Sequence, residues 1–541
     1  MYNVHDVPVA VSPEASKRLQ AEIEHIIGIY RVLYPTENLD IFLYEGNNPI
    51  WGRPSIHEGK AVLQPAHLSP EFLGRMECPG TDRAGPVITI FVSIPREASP
   101  GEVKRQDPDW RPVRPLGALY AAAPILYEDI RYRAEMRRKR LAEKRHQYVS
   151  LPFSRGSSLL PAVPEPDSDK APAILIGMHW LEVGGAEKLG LDSIHWALEA
   201  GLRVFVVAGV PSLQRLASKL PDRPDVTFIR LDRYLPDDQW PRYLENLIRA
   251  ENIRVVHNHH CRQLYDALPQ IRVMTPWVKT IDSTHVVEYA DGGFPRISGV
   301  WSNYIDIHHV ISRQLANYYR DHFQVLHNVV LGRMLDPRDD RKVLPPISMQ
   351  TAQNSLHISF IGRMYYQKRP IVLAEILKSL TGWAKKADID LRATIVGEGP
   401  YLAPLTQLLR RLGLLDRVTL EPADCDVPAL LDRSDILLLP SNNEGLALVC
   451  YEAVEHGCIP ISTDVGAQNE IIPEDLLLPL SPRETVSTCT GIVERLWRDR
   501  DFLDRQKAAL HAAWARLSAD PTAKEALMPH YRDAAGTVGK G

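Results

Sequence analysis

The chain of 541 residues is too long for one hydrophobic core, and its 45% hydrophobic and 24% charged content exclude a disordered or fibrous class. A formal net charge of -4 supplies no overall attraction to nucleic acid or an anionic membrane, so any such contact has to come from a local patch. The cysteines, Cys78, Cys261, Cys425, Cys450, Cys458 and Cys489, have neither C-x-x-C pairing nor zinc spacing, which suits a reducing compartment. No run reaches the ~20 apolar residues of a membrane span, and the opening MYNVHDVPVAVSPEASKRLQ lacks the basic-then-apolar layout of a secretion signal. A cytoplasmic location is expected.

Residues 1–150 are expected to form a small α+β domain ending in a basic helix. Ser12 stands as an N-cap and Pro13 at the first helical position, with a helix running through Tyr34. Asp40–Tyr44 and Val87–Val92 read as strands. The apolar LGALYAAAPILY, residues 116–127, is too short to cross a membrane and leads into the basic IRYRAEMRRKRLAEKRHQY. Three readings compete for residues 116–146: a solvated helix linking domains, a peripheral membrane-surface element, or a contact for an anionic acceptor. Residues 151–172, rich in Pro and Ser, read as a linker.

Residues 173–340 have the pattern of a doubly wound α/β domain. Ile174–Gly177 is a strand, and Gly184-Gly185-Ala186-Glu187-Lys188 opens a helix whose glycines let backbone approach a ligand. No G-x-G-x-x-G occurs there, which argues against a nicotinamide dehydrogenase. Further strands are expected at 203–207, 226–229, 253–256 and 278–281. His257-Asn258-His259-His260 then falls at a carboxyl strand end, either lining a cleft or satisfying buried polar groups. As a metal cluster it lacks a complementary ligand set beyond Cys261. His285 follows the 278–281 strand. The polar stretch 336–354, with Pro345-Pro346, reads as an interdomain linker.

Residues 350–515 repeat the theme. The strand His357–Ile361 ends at Gly362, and Arg363 and Lys368 follow in GRMYYQKRP. Two D-x-D triplets, Asp388/Asp390 and Asp424/Asp426, are common by chance, and Asp426 suits the cap of the helix VPALLDR, so no metal is assigned. The stretch that organises this half is SDILLLPSNNEGLALVCYEAVEHGCIPISTDVGAQNE, residues 434–470. Asp435–Leu439 reads as a strand buried on both faces and 445–456 as a helix closed by Gly457 in a left-handed C-cap. On that reading Glu444 and Glu452 lie roughly 12 Å apart along the axis, the span from a sugar across a diphosphate to a ribose. Residues 516–541 form a C-terminal helix or tail.

Glu444-x7-Glu452, framed by Asp435, Pro440-Ser441, Gly457, Pro460, Gly466 and Glu470, resembles the donor-site signature of retaining glycosyltransferases of family 4, and the likeness spans the last two-thirds of the chain. The resemblance implies an α/β, GT-B architecture: two Rossmann-like doubly wound domains facing a cleft. It implies transfer from a nucleotide-sugar donor, a UDP- or GDP-sugar, to a hydroxyl of a glycan, lipid-linked or other acceptor, with retained configuration and no cofactor. Glu444, Lys368, Arg363 and His285 become the catalytic set: Glu444 orients sugar hydroxyls, Arg363 and Lys368 hold the diphosphate, and His285 contacts the transferred sugar. Gly184, Gly185, Gly362, Gly445, Leu446, Ala447 and Glu452 become the donor-binding set, with Glu452 gripping the ribose and the Gly185 N–H assisting at the phosphate. The family also implies that Glu421-Pro422-Ala423 lies near the base and that a last helix crosses back to the first Rossmann-like sheet. His327-Asn328-Val329-Val330 departs from the family's P-N-G-V. Two other functions fit the sequence: glycosylation of nucleic acid or another anionic acceptor through Arg131–Arg145, and a non-catalytic scaffold.

Overall fold

A computed structural model describes residues 3–5, 13–46, 54–62, 64–65, 69–95, 109–114, 116–153, 163–165, 168–182, 184–288, 290–335, 344–347, 349 and 354–536. The expected cap at Ser12 and the stretches 154–162 and 336–343 of the two expected linkers lie outside them. Three sheets form among the described residues.

The first sheet is mixed, in the order Asn3–His5, Phe72–Cys78, Asn38–Gly46, Val87–Pro95, Ser55–Glu58, with Asn38–Gly46 and Val87–Pro95 parallel and the other pairs antiparallel. The helix Pro13–Leu33 buries Ile23, Ile26, Tyr30 and Leu33, one stripe at helical spacing. That stripe shares a core with Ile41 and Ile90 of the sheet and with Tyr234, Trp240 and Leu244 of the following α/β unit. Tyr30 donates to the Tyr234 carbonyl at 2.8 Å, and the Tyr234 hydroxyl donates to Glu22 at 2.6 Å, so the N-terminal layer is bonded to its neighbour as well as packed on it.

The second sheet runs Val329–Leu331, Ile307–Val310, Lys279–Thr284, Ile253–His259, Ala173–Met178, Arg203–Ala208, Val226–Ile229, all parallel. The third runs Val418–Glu421, Asp390–Val396, Ser355–Ile361, Ile436–Leu439, Ile459–Thr463, Leu477–Leu478, also parallel. Strands such as Ala173–Met178 and Ile436–Leu439 are buried along their whole length, as a sheet covered on both faces requires. The result is α/β with two Rossmann-like doubly wound domains facing a cleft, the GT-B arrangement, and a small mixed sheet ahead of them.

Two helices close the chain. Arg500–Ser518 buries Phe502, Leu503 and Leu510 in the core of the third sheet. Ala523–Ala534 crosses back to the second sheet, where Leu527, Met528 and Tyr531 meet Ile174, Ile176 and Val204. Asn328 adopts the left-handed φ of +70, and Val329, at the position of the glycine in P-N-G-V, already belongs to the strand Val329–Leu331. No helix of the described residues is long and apolar enough to cross a membrane.

The basic run forms the helix Pro124–Glu143, and the structure decides against a simple solvated linker. Tyr127, Glu128 and Asp129 are buried, and Arg131 lies with its guanidinium 3.3 Å over the Tyr366 ring of the third-sheet domain. Arg131 also donates to the Tyr401 hydroxyl at 2.9 Å, while Tyr366 donates to Glu135 at 2.6 Å.

Candidate active site

Ligands of doubly wound sheets bind beyond the carboxyl ends of the strands, where the strand order reverses. In the third sheet that point lies between Ser355–Ile361 and Ile436–Leu439, and both strands deliver polar residues there. Gly362 follows the first. A Cβ on neighbouring Gly397, itself at φ +137, would stand 2.0 Å from the Gly362 carbonyl oxygen, so the two turns touch through bare backbone. The chain then makes the short 3-10 turn Tyr366–Lys368 and reverses through Arg369 at φ 51 into the helix Pro370–Lys386. Lys368 thereby points into the cleft, where Nζ meets Glu444 Oε1 at 2.5 Å.

The second strand leads through Pro440 to Glu444. Here the structure corrects the sequence reading: the helix spans Leu448–Glu455, three residues later than its expected start. Residues 445–447 form an irregular segment because Gly445 is pressed onto the loop after Thr284. A Cβ there would lie 1.9 Å from the His285 carbonyl oxygen. A Cβ on Gly466, itself at φ +59, would likewise lie 2.1 Å from the Glu444 carbonyl oxygen. Glu444 therefore precedes the helix, and the 12 Å span derived from two glutamates on one axis does not apply. Glu452 sits on the helix with its surface exposed. Crowding by protein around it nevertheless raises its carboxyl above the ordinary range, against the pull of His456 and of Lys188 from the opposite domain.

The second sheet supplies the facing wall. Gly184, in extended backbone, precedes the helix Gly185–Glu199 and gives it no side-chain cap, while the Glu187 carboxylate folds back over Gly184 and takes its own backbone N–H; this helix start borders the cleft. Glu187, in that first turn, is buried and accepts from Trp180 Nε1 at 2.8 Å. Its carboxyl is raised mainly by burial, with Arg363 among the groups that draw it back. In the sequence Glu187 is only one residue of the helix opening Gly184–Lys188, and its lone carboxylate beside two glycines is the signal for its place here. Arg363 itself is exposed, its guanidinium 5.6 Å from the Tyr365 ring.

The histidines divide into two groups. The strand expected to end at Val256 continues through His259, and His257 is structural: it meets the Tyr531 hydroxyl at 2.6 Å and Ser283 at 2.8 Å. His259, His260 and His285 instead turn toward the cleft. Both ring nitrogens of His259 and His285, and Nε2 of His260, are buried with no hydrogen-bond partner among the described residues. Burial, aided by neighbouring imidazoles, drives His259 and His285 well below the ordinary histidine range. His260, stacked on Phe294 at 4.6 Å, is held down to about 3, chiefly by burial. Neutral imidazoles offer a ligand one donor and one acceptor each. Among the described residues no group of three or more His, Cys, Asp or Glu is arranged to hold a metal ion.

One cavity of about 550 Å³ gathers these parts. It is lined by Glu444, Lys368, Arg363 and His285, and by Gly184, Gly185, Gly362, Gly445, Leu446 and Ala447; Glu452 is outside its lining. His179, Glu187, His259 and His260, given no individual role from sequence, also line it. The loop 421–423 does not reach it. Of the D-x-D residues, Asp426 caps the helix Val427–Asp432 through the Ala429 N–H, as expected, and Asp390 pairs with Arg392 and Arg417. Glu470, a framing residue of the signature, bonds Arg333 at 2.5 Å rather than the cleft.

Residues 349–476 match the family described as Glycosyl transferases group 1. The chain is 27% identical over 283 residues to the phosphatidylinositol N-acetylglucosaminyltransferase gpi3 subunit of Schizosaccharomyces pombe, covering 48% of this chain and 56% of that one. It is 25% identical over 312 residues to the N-acetyl-alpha-D-glucosaminyl L-malate synthase of Bacillus anthracis, covering 54% and 78%. Among the eukaryotic transferase subunits it matches, the chain thus spans about half of each relative's length. A glycosyltransferase structure from Rickettsia africae superposes with a TM-score of 0.49 at 17% identity, covering 69% of this chain and 100% of that one. Sucrose-phosphate synthase from Thermosynechococcus elongatus gives 0.47 at 18%, covering 68% and 98%. The segment that matches the glycosyl transferases group 1 model, 349–476, holds both the Arg363–Lys368 loop and the Glu444–Glu452 element.

Proposed function

We propose that the protein is a retaining glycosyltransferase that moves a sugar from a nucleotide-sugar donor to a hydroxyl acceptor. The observation that carries the reading is the convergence of two cations, Arg363 and Lys368, with Glu444, His285 and the glycine start of the helix Gly185–Glu199 on one cavity. Cations and free N–H groups suit a diphosphate, whose charge grows as the leaving group departs. In this reading Arg363 and Lys368 hold the diphosphate, and the Gly185 N–H assists from the opposite domain. Glu444 orients sugar hydroxyls and competes with phosphate for Lys368, while His285 contacts the sugar as a neutral imidazole. Glu452, on the next helix, takes the ribose at the cleft's outer edge.

The bond from the anomeric carbon to the diphosphate oxygen breaks as the acceptor oxygen bonds that carbon on the same face. The acceptor's proton passes to the departing phosphate oxygen, so neither glutamate has to serve as nucleophile or base. Closure of the two domains excludes water and disfavours donor hydrolysis. We take residues 173–340 as the acceptor-side domain, 350–515 as the donor-side domain, and a reducing compartment as the setting, in keeping with six free cysteines. The names of two relatives make an N-acetylglucosaminyl donor the first to test. Incubation with a panel of UDP- and GDP-sugars and a hydroxyl acceptor mixture, followed by NMR of the product's anomeric signal, tests the proposal. A product with the donor's anomeric configuration is expected; an inverted product removes the retaining assignment.

A second reading, polyanion binding by residues 116–146, rests on the exposed Arg137, Arg138 and Arg140. Strong salt dependence of acceptor affinity would favour it, and salt-insensitive transfer would remove it.

A further inference from the structure

Beside the cleft lies a second cavity of about 610 Å³, within the ~300–1,000 Å³ of small-molecule sites. Its walls come from segments far apart in the chain: Lys139 on the basic helix, Glu288 on the loop after His285, Tyr318 and His322 on the helix Arg313–Phe323, and Asn442 and Asn443 on the donor-side turn. Glu288 lines both cavities, and Asn443 directly precedes Glu444, so the two spaces meet at the turn that carries the cleft's carboxylate.

The lining chemistry is specific. Tyr318 and His322 have ring centroids 4.6 Å apart, and Tyr148 lies 5.1 Å from His322, which makes one aromatic wall. Three amides, Gln314, Asn442 and Asn443, also line the space. The charged residues are of both signs: Lys139 is matched by Glu143, and Glu288, Asp291 and Asp464 add further carboxylates. A polyanion would meet that carboxylate excess, and an alkyl chain would strand the amides without hydrogen bonds. A sugar ring presents a C–H face to aromatic rings and hydroxyls to carboxylates and amides, which is the combination present.

We infer that this cavity binds the acceptor as a saccharide, with the basic helix as its outer wall. The inference rests on the glycosyltransferase reading of the cleft and adds the acceptor's chemical class and the part of the chain that selects it. It also gives the N-terminal third a task in the reaction: residues before the group 1 domain complete the acceptor site.

The test uses the full chain. UDP and GDP are titrated by calorimetry, and the nucleotide-loaded protein is then offered methyl glycosides of glucose, galactose, mannose and N-acetylglucosamine and their β-linked disaccharides, read by saturation-transfer NMR. At least one glycoside is expected to bind the loaded wild type, and Tyr318→Ala and Lys139→Ala each to weaken it about tenfold, with nucleotide affinity held within about twofold. Lys139→Ala alters a partly exposed helix side chain and covers the case in which Tyr318→Ala misfolds. Nucleotide binding with no glycoside bound, glycoside binding unchanged in the variants, or an oligonucleotide or sulfated oligosaccharide bound there instead overturns the inference. Failure of both nucleotides to bind the wild type brings down the reading of the cleft itself, and this one with it.

Discussion

Lys368 was expected at the diphosphate and Glu444 at the sugar hydroxyls, and the two meet as an ion pair whose side chains are 16% and 8% exposed. Truncating one member of a pair so shielded leaves the other charge uncompensated, at a cost of ~3–5 kcal/mol. Lys368→Ala is therefore expected to lower the urea midpoint as well as turnover, and adding Glu444→Ala to restore much of the midpoint and none of the turnover. A single variant with wild-type stability would show that the pair carries no such load. Gly445→Ala drives a methyl into the His285 carbonyl and should cut activity sharply, whereas Gly491→Ala, in a helix with open space around it, should be neutral or add ~0.5–1 kcal/mol. Two buried groups bend the pH profile in opposite directions. His260, depressed from 6.5 to about 3, contributes stability that is present above pH 6.5 and lost as pH falls toward 3. Glu128 is raised from 4.5 to about 7, mainly by burial, and its Oε1 is 3.7 Å from Arg131, too far for a hydrogen bond. Its contribution is present below pH 4.5 and lost as pH rises through 7. Glu128→Gln should remove the loss of midpoint between pH 4.5 and about 7 and leave the slope below pH 4.5 as it was.

At the scale of elements, the helix Pro124–Glu143 holds the turn that presents Lys368. Arg131 covers the Tyr366 ring, and Tyr366 is two residues before Lys368 on the same 3-10 turn. Trp110 extends the contact by stacking on Tyr401 at 4.6 Å. A shielded cation–π contact contributes ~2 kcal/mol, so Arg131→Ala should speed hydrogen exchange over 124–143 and lower kcat. Arg131→Lys should rescue little, because a lysine lacks the planar stack. Unchanged exchange in Arg131→Ala would contradict the contact. None of this was legible locally: charges all round a helix look solvated, and the rings that receive Arg131 lie 235 and 270 residues further on. The buried parallel strands were legible, because a strand covered on both faces needs a continuous apolar run. Phe72–Cys78 and Ser55–Glu58 were not, having mixed burial and polar interruptions. The late helix start at Leu448 has the same origin as the missed docking: Leu446 and Ala447 favour helix by themselves, and the contact of Gly445 with His285 overrides them.

Across the whole molecule the two halves of the cleft are pinned by Arg333, 1% exposed, which bonds Glu470 at 2.5 Å and Asp520 at 2.7 Å. The Gln314 N–H also donates to Glu470 at 3.0 Å. Arg333→Met leaves two carboxylates facing each other without their cation and should split unfolding into two transitions, read by calorimetry; one unchanged transition would show that the halves couple elsewhere. We propose that Arg363, Lys368 and Glu444 share one activated sugar between the two sheets. Titration calorimetry of wild type, Arg363→Ala and Glu444→Gln against the UDP- and GDP-sugar panel tests it most directly. Wild type is expected to bind a nucleotide sugar saturably, Arg363→Ala to lose most of that affinity, and Glu444→Gln to keep near-normal affinity with lost turnover. Equal affinity in all three proteins, or no binding by wild type, would contradict it.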